Sequence, residues 1–163
     1  AERFAQTLHP FTGRAGYTEA YSPAILCLLD FIERLSGIMP RPDGTLWFTG
    51  LTPQQIEHRD QQHATAYARD IDGIRFELVN SADESIAYRN GDLLFRAPRG
   101  VRVVTDRAGA VRSLIGMSAN TVSGRLEHAG ASIAFSIAAN EQLEFSGGTV
   151  RSVRAPGFVP PTY

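Results

Sequence analysis

Between residues 63 and 155 the chain is cut at short intervals by two-residue turn signals. They are Asp72-Gly73, Asn90-Gly91, Ala108-Gly109, Ala129-Gly130 and Gly147-Gly148. A two-residue hairpin turn needs positive φ at both central residues, which Gly, Asn and Asp tolerate best. The runs between these signals alternate. In "GIRFELV", Ile74, Phe76 and Leu78 share one face while Arg75 and Glu77 share the other; Ile133, Phe135 and Ile137 repeat the pattern in "ASIAFSI". Such a chain predicts a half-buried antiparallel sheet, with about ten strands at the spacing of a sandwich. Ile74, Phe76, Leu78, Leu94, Val101, Val103, Ile133, Phe135 and Ile137 are expected to face inward.

The first third reads differently. Ser22 is placed to cap a helix and Pro23 to open it, where a missing N–H costs nothing. Ile25, Leu26, Leu28, Leu29, Ile32 and Leu35 then recur at helical spacing, while Asp30, Glu33 and Arg34 take the other side. Gly37 and Pro40 end the segment. The expected architecture is mainly β: residues 1–44 form an N-terminal loop and one amphipathic helix, packed on an antiparallel β-sandwich of residues 45–163.

Composition narrows the function. The 163 residues carry a net charge of −1, and all 16 basic residues are Arg, scattered with no basic run. Nucleic acid is therefore not an expected partner. No run approaches the ~20 apolar residues of a membrane span, so no membrane partner is expected. The N-terminus lacks the basic and apolar regions of a signal peptide. Location stays open between cytoplasm and periplasm. Cys27 is the sole cysteine, which rules out an intrachain disulfide, and it is expected to be buried on the helix's apolar side.

Few residues carry chemical signals. His58 and His63, with Glu57 and Asp60 between and beside them, stand five apart, which does not put both rings on one helix face. They read as a solvated connector, and no metal or other cofactor is expected. No Gly-x-Ser-x-Gly elbow occurs. Gly13 and Gly16 make no phosphate loop, because the following helix opens with Ser-Pro. Asp83, Glu84 and Asp92 sit at turns.

The stretch "QTLHPFTG", followed by "YSPAILCLLDFI", resembles the last barrel segment of the (α/α)6 glycoside hydrolases of the trehalase and processing α-glucosidase type. Those enzymes carry Glu-x-Tyr-x-Pro-x-Thr-Gly before a Phe-Ser-Trp-Ser-Ala-type helix start. Pro10, Thr12 and Gly13 match the loop, and Tyr21 and Ser22 match the helix start. "DGTLWFTGLTP" resembles the β-tail that closes such enzymes, so the likeness covers residues 6–50.

This resemblance implies the C-terminal portion of a bacterial glycoside hydrolase, with an upstream helical barrel in the same protein. Gln6 stands where the family has its catalytic base, and Pro23 replaces a substrate-lining Trp. An amide cannot take a proton from water, so Glu19, the carboxylate closest to the loop, is the other catalytic candidate. His9, Phe11, Tyr17 and Tyr21 suit stacking on and hydrogen bonding to a carbohydrate substrate. For Phe11 and Tyr21, stapling the start of the helix is an equal reading. Inverting hydrolysis needs an acid and a base about 6.5–9.5 Å apart, so the 163-residue chain alone is expected to be inactive. The alternative is a self-contained, non-enzymatic β-sandwich module for binding or assembly.

Overall fold

A computed structural model describes residues 26–27, 29, 37–50, 65–146 and 149–154. The chain divides into two compact units, Ala1–Glu33 and Arg34–Tyr163. In the first, Leu26, Cys27 and Leu29 are helical, as the apolar periodicity predicts. Their side chains are not buried as expected: Leu26 is 64% exposed, Leu29 50%, and Cys27 is exposed too.

The second unit is built from twelve described strands. One six-stranded sheet contains, in spatial order, β1 (Ile38–Pro40), β2 (Thr45–Thr49), β7 (Val101–Asp106), β8 (Val111–Gly116), β11 (Glu141–Ser146) and β12 (Thr149–Arg154). The other contains β10 (Ala131–Ile137), β9 (Val122–His128), β6 (Asp92–Pro98), β5 (Glu84–Arg89), β4 (Ile74–Asn80) and β3 (Thr65–Ile71). All pairings are antiparallel, and the fold is a β-sandwich. The chain changes sheet between β2 and β3, β6 and β7, β8 and β9, and β10 and β11.

Three turns adopt the expected two-residue form. Asp72 and Gly73 have φ of 52° and 76°, Asn90 and Gly91 of 51° and 87°, and Ala129 and Gly130 of 50° and 76°. The Ala108-Gly109 turn is longer. There the Asp106 N–H bonds to the Ala110 carbonyl at 3.0 Å and only Gly109 takes positive φ.

Phe48 ties the sheets together. Its ring meets Phe76 edge-on at 6.0 Å and Phe95 at 5.3 Å, both from the opposite sheet. Of the expected inward residues, Phe76, Leu78, Leu94, Val101, Val103, Phe135 and Ile137 are buried. Ile74 and Ile133 keep partial exposure: Ile74 adjoins the β3–β4 turn, and Ile133 lies on edge strand β10.

Two details depart from the expected layout. Strand pairing begins at Ile38, ahead of residue 45, because Ile38, Met39 and Pro40 pair with Phe48, Trp47 and Leu46. Pro40 is tolerated there because β1 is an edge strand. Alternation also breaks at Leu94 and Phe95, both buried, where the β5–β6 register shifts past Ala87.

Candidate functional site

In β2, Leu46 and Phe48 enter the core, so Thr45, Trp47 and Thr49 face the other side of the first sheet. Register carries that outer face across the sheet. Trp47 pairs with Val104, Val104 with Ser113, and Ser113 with Glu144; one row along, Thr49, Arg102, Ile115 and Gln142 are aligned. All of these except Thr49 line a groove of about 650 Å³, with Met117 also in its lining and Asp43, Arg112 and Asn140 at its margins.

An outer sheet face ordinarily carries solvated polar side chains. This one has a floor of Val104, Ile115 and Met117, and Val104 is only 6% exposed. Trp47, the single tryptophan of the chain, forms part of the wall. Its ring is flanked by two guanidiniums, Arg41 at 4.3 Å and Arg102 at 4.2 Å from the centroid. Arg102 is aimed further by its Nε, which donates to Thr49 Oγ1 at 2.8 Å.

The polar margin is held by local bonds. The Thr45 hydroxyl and N–H donate to Asp43 Oδ1 at 2.7 and 2.9 Å, holding that carboxyl below the usual range. Beside the groove, burial raises the pKa of Asp106. The Ala110 N–H at 2.9 Å and Arg112 at 2.6 Å outweigh it, so the net shift is downward. On β11, Gln142 Nε2 donates to Glu144 Oε1 at 3.3 Å, setting an amide and a carboxylate side by side. Such a surface offers paired donors and acceptors above an apolar floor.

Two smaller depressions lie at the hairpin ends near Leu93, Leu94 and His128. His128 Nδ1 lies 2.8 Å from the Leu94 carbonyl, an acceptor, so that nitrogen carries the proton. The sequence candidates Gln6, His9, Phe11, Tyr17, Glu19 and Tyr21 lie outside the described residues, as do Glu57, His58, Asp60 and His63. Among the described residues no group of three or more His, Cys, Asp or Glu side chains could hold a metal. No helix among them is long and apolar enough to cross a membrane. Reading the sequence did not single out the groove. Its available signal was a lone tryptophan opposite Leu46 and Phe48 in "TLWFT".

Compared with protein-family models, curated proteins and solved structures, the chain matches none. What the fold and groove define is a class, a two-sheet antiparallel β-sandwich with a polar-rimmed groove on one outer face.

Proposed function

We propose that the chain is the C-terminal portion of a glycoside hydrolase, in which the loop at residues 6–21 contributes to a sugar site and the β-sandwich supports a helical barrel. The observation that carries this reading is the exposure of Leu26 and Leu29 on a helix whose sequence has a full apolar stripe. Such a stripe is stable when other apolar surface covers it, and neighbouring barrel helices have the matching shape. The likeness of residues 6–50 to the closing segment of an (α/α)6 enzyme supports the same reading. In it Gln6 takes the place of the base and Glu19 is the nearby carboxylate, while His9, Phe11, Tyr17 and Tyr21 contact the carbohydrate.

The test compares the natural full-length protein with the 163-residue chain. Leu26→Ala and Leu29→Ala are expected to destabilise the longer protein by ~2–5 kcal/mol, as core truncations do, and to leave the shorter one nearly unchanged. Equal, small effects in both, or a natural reading frame with no helical region upstream of Ala1, would overturn the reading.

A second reading, a self-contained β-sandwich binding module, is favoured by the groove around Trp47. Its charges and floor sit wholly within Arg34–Tyr163.

A further inference from the structure

We propose that the outer groove of the first sheet binds a neutral, polyhydroxylated ligand, an oligosaccharide. The proposal deepens the second reading and rests on it. It does not involve the loop at residues 6–21, so a failure of binding here and a failure of hydrolysis are separate results.

Charge argues first. Arg102 and Arg112 line the groove with Asp43 and Glu144, two cations against two anions. Arg112 is also committed to Asp106, at 2.6 Å. A balanced surface creates little net field to draw a phosphate, a polyanion or a cation. The groove therefore selects for ligands that carry hydrogen-bonding groups without charge.

Donor and acceptor geometry narrows the class. Gln142 and Glu144 stand on one face of β11, with Nε2 and Oε1 3.3 Å apart, and Asn140 precedes them by two residues. A hydroxyl both donates and accepts, so neighbouring hydroxyls on a ring can satisfy an amide and a carboxylate together. The floor of Val104, Ile115 and Met117 completes the match, because a sugar ring presents C–H surface between its hydroxyls. Trp47 is not the stacking platform. The guanidiniums of Arg41 and Arg102 already lie over its ring, at 4.3 and 4.2 Å from the centroid. The ring forms wall and leaves the floor to the aliphatic side chains. A volume of about 650 Å³ falls within the range of small-ligand sites, ~300–1,000 Å³.

Trp47 is the chain's only tryptophan, so its fluorescence reports on the groove alone. The 163-residue chain is titrated with maltotetraose and with cellotetraose, and in parallel with inorganic phosphate and citrate. Calorimetry follows the same titrations. One of the two sugars is expected to bind saturably, with a Kd that changes less than about twofold between low and high salt, as for an uncharged ligand. Gln142→Ala and Glu144→Ala are expected to weaken binding about tenfold each, the size of a lost hydrogen bond, with thermal unfolding unchanged. The proposal is overturned if neither sugar binds, if only the anions bind, or if both variants bind as tightly as the parent.

Discussion

The Arg102 guanidinium stands 4.2 Å from the centroid of the Trp47 ring and donates from Nε to Thr49 Oγ1 at 2.8 Å, so one side chain braces two residues of β2 from β7. A stacked cation contributes about 0.5–1 kcal/mol and a hydrogen bond about as much. Arg102→Ala is therefore expected to cost about 1–2 kcal/mol in chemical denaturation. It should also shift Trp47 emission to the red, as one ring face becomes wet. An unshifted spectrum would show that Arg102 does not cover the ring.

Ser85 Oγ donates to Asn80 Oδ1 at 2.6 Å in a buried pocket, and Gly50 is the residue that leaves room for the pair. A Cβ at position 50 would lie 2.0 Å from Ser85 Oγ and 2.8 Å from Asn80 Oδ1. Gly50→Ala should cost ~1–3 kcal/mol through overpacking. Introduced with Ser85→Ala, which removes the nearer atom, it should cost less than it does alone. A double-mutant cycle measures the difference, and strict additivity would contradict the contact.

Ala129 occupies the first central position of the β9–β10 turn at φ 50°, where its Cβ is strained. The left-handed region costs an L-residue ~1–2 kcal/mol, and Asn much less. Ala129→Asn is expected to raise the unfolding temperature and Ala129→Val to lower it. The reverse order would mean that the turn is not of this type.

Stability should fall in acid. Glu141 Oε2 accepts the Ala138 N–H at 2.8 Å and Oε1 accepts the Ser152 hydroxyl, which together lower its pKa from the usual 4.5. The unfolded chain then binds more protons than the folded one between the two pKa values, so stability rises with pH in that window. The contribution is fully present above the unfolded value and is lost as pH falls through the folded one. Asp43 and Asp106, lowered from 3.8, act in the same direction. Unfolding midpoints from about pH 6 to about pH 2 should decline, and Glu141→Gln should flatten part of that slope. A slope unchanged in the variant would remove Glu141 from the account.

The sandwich was legible wherever local chemistry and alternation agreed. Asp72-Gly73 and Asn90-Gly91 are residues that positive φ selects, so those turns could be read directly from their residue types. β1 was hidden because three residues ending in Pro40 carry no strand periodicity of their own. Adjacent burial at Leu94 and Phe95 was hidden because a register shift is a property of a strand pair. The groove was hidden for a related reason. Trp47, Val104, Ser113 and Glu144 come from four strands spread over almost a hundred residues, and only the pairing aligns them. Helical backbone at Leu26, Cys27 and Leu29 was legible from the apolar spacing, yet periodicity says nothing about what covers such a stripe.

Hydrolysis tests the central claim most directly. Trehalose and a panel of α-glucosides are assayed with the 163-residue chain, with the natural full-length protein, and with its Gln6→Glu variant. Hydrolysis by inversion needs two carboxyl groups in opposed protonation states across the substrate, and positioning contributes several kcal/mol more. The account predicts no turnover by the 163-residue chain and faster turnover by the full-length protein once Gln6→Glu restores a carboxylate. Robust turnover by the 163-residue chain, abolished by one substitution within it, would contradict the account.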